Sequence, residues 1–154
     1  SIAISVGTIL IAVVALVFIL NAFLGFIGDQ AGFDLSIQII LGYIFAPIAW
    51  LMGIPWDEAI LAGELLGLKT ALNEFYAYPE LASEQYAALS DRSKLITFYS
   101  LCGFANLSSV GILVSGIAAM APDRKEDLIK VSLKALVGAT LASCMTGLIV
   151  GIFI

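Results

Sequence analysis

Residues 69–80, KTALNEFYAYPE, set Lys69, Asn73 and Glu74 into a chain that is otherwise strongly apolar, and the reading of that stretch decides the fold. Of 154 residues, 61% are hydrophobic and 12% charged, with a mean hydropathy of +1.06; a soluble domain carries about 25% charged residues. A carboxylate in such a chain is either solvated on a surface connection or sunk at membrane depth. At a helix centre it costs roughly 2.5–3.5 kcal/mol on insertion scales, and there it faces a wet path or a ligand. On composition alone both readings of residues 69–94 stand. The adjacent Asn73 and the aromatics Phe75, Tyr76 and Tyr78 favour a lined site. A carboxylate accepts from vicinal hydroxyls and an amide both donates and accepts, which is equipment suited to a sugar.

Outward from this stretch, charge is absent from residues 1–28, 35–56, 95–122 and 135–154. Roughly 20 apolar residues in a helix cross a bilayer; the first, third and fourth blocks supply them, while the second is interrupted by Pro47 and closed by Pro55. The expected fold is an all-α integral membrane chain of about three transmembrane helices, one of them unwound mid-span, with an interfacial helix and a re-entrant helical hairpin. Residues 1–28 are the expected scaffold helix. They have no basic leader region and run too long for a signal peptide, and the lack of an initiator Met marks the sequence as an internal piece of a longer protein. Trp50 and Trp56 suit an interfacial helix over 35–55, with a kinked span as the alternative.

Asp57 and Glu58 after Pro55 signal a helix start, and Ile60, Leu61, Leu65 and Leu68 follow at helical spacing, interleaved with Glu64 and Lys69. Helices over about 57–71 and 73–87 are each too short to cross, so a hairpin over 57–88 is predicted, with its tip near Leu72–Glu74. Such a tip needs protein or a wet cavity to satisfy its backbone. The span 92–121 carries Asn106, Ser108 and Ser109 between two glycines, a plausible break, and 124–154 is the final span. Arg124, Lys125, Lys130 and Lys134 make the loop before it cytoplasmic by the positive-inside rule, so the hairpin enters from the outer side. Gly147 and Gly151 form a G-x-x-x-G face for close packing.

Several function classes drop out. The net charge of −5 opposes a nucleic-acid partner, which needs a basic surface. With no His in the chain, zinc-protease motifs and His-based triads are excluded, and no phosphate-cradling loop is present; no enzyme, cofactor or metal site is expected. Cys102 and Cys144 read as small buried hydrophobes. A pore needs rings or rows of lining groups, whereas the polar residues form two isolated clusters. Asn106 and Ser109, three apart, share a helix face with Cys102 one turn earlier. They are either ligand contacts or interhelical hydrogen-bonding groups, and the second option goes with a non-transporting membrane scaffold or assembly subunit.

The pairing of GLKTALNEFYAY with LCGFANLSSVGILVSGIAAMAPDRKEDL some thirty residues later closely resembles the C-terminal half of the concentrative nucleoside transporters, the cation-coupled family that includes the bacterial NupC-like permeases. The resemblance covers essentially the whole sequence. It implies cation-coupled nucleoside symport across the bacterial cytoplasmic membrane by a multi-pass protein, with this chain as the second half of an inverted repeat, not expected to transport alone, within a homotrimer. Carried across, Glu74 looks like the hairpin-tip carboxylate on the ribose hydroxyls, beside Asn73. Asn106 and Ser109 look like ribose contacts of the unwound helix, and Phe104 resembles the aromatic packed beside the nucleoside. The resemblance places the base-reading Gln-Thr-Glu hairpin and the ligands of the coupling cation, Na+ in preference to H+, in the missing N-terminal half. Tyr76 stands where the family usually has Val.

Overall fold

The computed structural model describes residues 2–154, without the side chains of residues 2, 3, 5, 6, 9 and 31. Among these residues the chain is entirely helical: α1 (Ile2–Ala31), α2 (Ile37–Leu51), α3 (Trp56–Ala71), α4 (Glu74–Leu81), α5 (Asp91–Leu101), α6 (Leu107–Met120) and α7 (Lys125–Phe153), with single 3₁₀ turns at Glu84–Tyr86 and Pro122–Arg124. The all-helical class expected from the charge-free blocks is thus observed. Two helices are long and apolar enough to cross a bilayer, Leu10–Gln30 and Pro122–Phe153, and α2 with α3 makes a third if that pair, bent by 119°, counts as one span. α6 is a shorter apolar helix.

Four helices, α2, α4, α5 and α6, begin where a side chain satisfies an unpaired amide. Ser36 caps α2 by accepting from the Ile39 amide at 3.2 Å, and Ser90 caps α5 by accepting from the Ser93 amide at 3.3 Å. The start of α2 is also held from outside. Asn21, in the middle of α1, accepts from the Ile37 amide through Oδ1 at 2.8 Å and donates through Nδ2 to Gln38 Oε1 at 2.8 Å. One amide side chain in an apolar helix therefore docks the next helix end-on, which is how a polar group at membrane depth avoids going unpaired.

α2 and α3 form the most intimate pair. A side chain at Gly63 would bring its Cβ within 2.5 Å of the Gly42 carbonyl, so small residues set the helix separation here. The corner between the two helices turns on Gly53, whose φ of +92° lies in the left-handed region open to glycine. Above that corner Trp50 and Trp56 meet edge to face with ring centroids 6.3 Å apart. Arg92, at the start of α5, collects carbonyls from two sides: Nη1 donates to Gly53 at 2.6 Å and Nη2 to Gly151 at 2.7 Å. α7 lies against α5 along small residues, and a Cβ at Gly147 would reach within 2.5 Å of the Ile96 carbonyl.

Two polar residues on α3 are enclosed. Glu64 is buried, and its Oε2 accepts from the Tyr86 hydroxyl at 3.1 Å and from Gln85 Nε2 at 3.3 Å. Lys69 is 1% exposed. At the outer end of the same helix, Glu58 Oε2 accepts from the amide and the hydroxyl of Ser90 at 3.1 and 3.0 Å, tying the beginning of α3 to the beginning of α5.

Candidate functional site

Two interruptions of helix face one another. The first separates α3 from α4 at Leu72 and Asn73; the second separates α5 from α6 over Cys102–Asn106. Both restart on an asparagine cap with extended backbone, which shows why the chain resumes helix there. Asn73 Oδ1 accepts from the Tyr76 amide at 3.1 Å. Asn106 Oδ1 accepts from the Ser109 amide at 2.7 Å, and the Asn106 amide donates back to Ser109 Oγ at 3.2 Å, a reciprocal capping box. The Ser109 hydroxyl donates in turn to the Asn106 carbonyl at 2.6 Å.

The two interruptions are bonded to each other twice. Asn106 Nδ2 donates to Glu74 Oε2 at 2.9 Å, and Ser108 Oγ donates to the Leu72 carbonyl at 3.2 Å. Glu74 stands in the first turn of α4, where the positive end of the helix dipole favours a carboxylate. Asn106 is fully buried, whereas Glu74 is half-buried. Among the described residues Glu74 Oε1 accepts no hydrogen bond, so a carboxylate with room for about four acceptor contacts uses one. The second N–H of the Asn106 amide is likewise unused. The unused oxygen of the half-buried carboxylate can accept from a hydroxyl.

Glu74, Asn106 and Ser109 are therefore brought together, with Ser109 holding Asn106 in place. Phe104 projects from the second interruption, 57% exposed, and lines with Ser109, Leu113 and Leu136 a cavity of about 130 Å³ between α6 and α7. Asn73 lies apart. Its carbonyl oxygen is spent on the α4 cap, and its side chain borders a cavity of about 420 Å³ on the α1 side, with Val14, Phe75 and Tyr76. Tyr76 thus opens towards α1.

The structure alters two local expectations and adds a residue: Cys102, read as a buried hydrophobe, is exposed, while Cys144 is buried. Cys102 is the C-cap of α5 while Asn106 is the N-cap of α6, so they do not lie one turn apart on a continuous helical face. Asn106 and Ser109 are likewise cap and third helical residue, a relationship that the N-x-x-S spacing could have signalled. Tyr78 is the addition: its hydroxyl bonds the Phe98 carbonyl at 3.3 Å and Cys102 Sγ at 3.0 Å, binding α4 to the end of α5.

Known proteins match along this whole arrangement. A family profile described as Na+ dependent nucleoside transporter C-terminus matches residues 1–151. The nucleoside permease NupC of Helicobacter pylori is 40% identical over 159 residues, covering 100% of this chain and 38% of that protein. The human solute carrier family 28 member 3 is 38% identical over 160 residues, covering 93% of this chain and 23% of that protein. Among solved structures, CNTnw in an inward-facing substrate-bound state superposes with a TM-score of 0.85 at 44% identity, covering 99% of this chain and 38% of that one. A variant of CNTnw in an outward-facing state gives 0.84 at 44% identity, with 99% and 37% covered. The chain thus spans about two fifths of the bacterial relative's length and about a quarter of the human one's.

Proposed function

Since the chain belongs to the family of Na+ dependent nucleoside transporter C-termini, we propose that it is the ribose-gripping part of a cation-coupled nucleoside permease rather than of an enzyme. The observation that carries this reading is the Asn106–Glu74 hydrogen bond joining two helix interruptions. In it, Glu74 Oε1 accepts from the ribose hydroxyls, the free Asn106 N–H donates to a hydroxyl oxygen, and Ser109 keeps Asn106 oriented. Phe104 packs against the nucleoside beside them. Asn73 acts one step back, by fixing the start of α4 and so the place of Glu74.

In this reading α3 and α4 form a re-entrant hairpin, α5 and α6 a span unwound at its centre, and α1 and α7 full crossings. Broken helices meeting near a bilayer midplane are the usual frame for substrate sites in alternating-access carriers. That CNTnw has both inward-facing and outward-facing states supports the same cycle here. The base-reading groups, the cation ligands and the trimer contacts belong to the remainder of the protein. Na+ is the favoured coupling ion, in keeping with the sodium/nucleoside cotransporter 1 of mouse, 37% identical over 158 residues.

The test is made on the complete protein. Added nucleoside should raise its melting temperature, because a ligand stabilises the state that binds it, and Na+ should enhance the shift. No shift with any purine or pyrimidine nucleoside, with or without Na+, would sink the reading in favour of a membrane scaffold.

A further inference from the structure

Ser108 lies between Asn106 and Ser109 in the first turn of α6, and the sugar grip gives it no task. Its hydroxyl is set apart by where it points. Thr70, Ser100, Ser143 and Thr146 each donate to the carbonyl four residues earlier on their own helix, at 2.8, 2.8, 2.9 and 3.2 Å, the usual back-bond of a helical serine or threonine. Four residues before Ser108 stands Phe104, inside the interruption, so α6 offers no carbonyl to return to. The hydroxyl instead crosses to the Leu72 carbonyl at 3.2 Å. Leu72 is the C-cap of α3, its amide bonded to the Leu68 carbonyl at 2.8 Å. Among the described residues the Leu72 carbonyl accepts from Ser108 alone. With Ser108 2% and Leu72 4% exposed, solvent is shut out of the pair, and a buried carbonyl left unpaired is costly.

The two bonds between the interruptions form antiparallel rungs. Leu72 faces Ser108; two residues further along the first segment and two residues back along the second, Glu74 faces Asn106. The rungs differ in kind. Glu74 meets Asn106 side chain to side chain, and that rung is the one open to a ligand. Ser108 carries its hydroxyl on a single carbon and ends on backbone, so it ties main chain to main chain. The spacing of the segments that bear Glu74 and Asn106 therefore follows from Ser108.

We propose that Ser108 is a positioning residue that sets the register of the sugar grip: its bond to the Leu72 carbonyl holds the α3–α4 tip where Glu74 Oε1 meets a ribose hydroxyl while Oε2 stays on Asn106. This rests on the proposed sugar site and deepens it. Ser108 itself does not touch the nucleoside. Hydrogen bonds weaken steeply as their geometry departs from the preferred distance and angle, whereas apolar contacts are non-directional. Losing the rung should therefore blunt recognition of the hydroxyls more than it blunts recognition of the rest of the nucleoside.

Dissociation constants of uridine and adenosine, each with its 2′-deoxy and 3′-deoxy analogue, are measured on the complete transporter. The ratio of deoxy to parent nucleoside reads the preference for ribose and does not change with the fraction of protein that is folded. In the unmodified transporter, removing the hydroxyl held by Glu74 should weaken binding about 10- to 100-fold, the scale of a hydrogen bond to a charged group. In Ser108→Ala that preference should shrink by about fivefold or more, the scale of one neutral hydrogen bond. Ser108→Thr retains the hydroxyl and should retain the preference. An Ala variant whose preference stays within about twofold of the parent's overturns the proposal, as does a Thr variant as indiscriminate as the Ala one. Should Ser108→Ala fail to assemble, Ser108→Cys, which keeps the shape and weakens the donor, is read by the same limits. Failure of both to assemble overturns the proposal, since the hydroxyl would then serve folding. A parent that binds neither nucleoside, or binds the deoxy forms equally well, defeats the sugar reading itself and the positioning role with it.

Discussion

The Asn106 amide and the Glu74 carboxylate, 32 residues apart in sequence, lie 2.9 Å apart across two helix interruptions. Together with the Ser108–Leu72 bond, this contact makes a single polar centre out of two breaks.

Glu74→Gln tests the carboxylate. The amide oxygen of glutamine can still accept from Asn106, but an N–H₂ replaces one of the acceptors turned to the sugar. Uptake of labelled nucleoside by the complete protein should fall about 10- to 100-fold, the range for losing a hydrogen bond to a charged group, with membrane expression and assembly near normal. Unchanged uptake refutes the assignment.

Asn106 does two jobs, and substitutions separate them. Asn106→Asp keeps a good helix cap but places a second carboxylate against Glu74. It should abolish the nucleoside-dependent rise in melting temperature while leaving α6 in place. Ser109→Ala removes half of the capping box and should cost about 1 kcal/mol, with weaker binding. Were the pair only interhelical glue, Asn106→Ala would lower the melting temperature and leave the ligand-induced shift intact.

The Tyr86 hydroxyl serves the buried Glu64. Tyr86→Phe strips a donor from a buried acceptor, which costs about 1–3 kcal/mol. Tyr86→Phe combined with Glu64→Leu should destabilise by less than the sum of the two single changes, because both remove the same contact. Thermal unfolding of the four proteins in detergent reads this directly, and strict additivity would rule the contact out as a stabilising one.

Glu58, in the first turn of α3, gives a pH signature. Burial pushes its carboxyl up, but hydrogen bonds from Ser93 and Ser90 and the nearby Lys94 outweigh that and hold it below the ordinary value of 4.5. A folded value below the unfolded one stabilises above the unfolded value, and the benefit is lost as pH falls through the folded one. The melting-temperature deficit of Glu58→Gln should therefore be full at neutral pH and shrink as pH drops below 4.5. A deficit that stays constant across that window would contradict it.

The helical class and the membrane setting were legible because long charge-free blocks admit little else. Glu74 and Asn106 could be singled out as polar residues in oily surroundings, but nothing in their separation of 32 residues requires them to touch. Asn106 and Ser109 show a subtler limit: a spacing of three fits a shared helical face and a cap equally well, and only the extended backbone of Asn106 decides. Lys69 and Glu64 read as ordinary polar positions on a helix, since periodicity reports which residues share a face but not whether α2 or α5 will cover it.

Arg92 fastens the Gly53 corner and the Gly151 carbonyl to the start of α5. The base of the α3–α4 pair, the foot of the interrupted helix and the far end of α7 are consequently riveted at one guanidinium. A load applied at any one of them is shared by all three, so the polar centre and its housing keep fixed dimensions relative to one another.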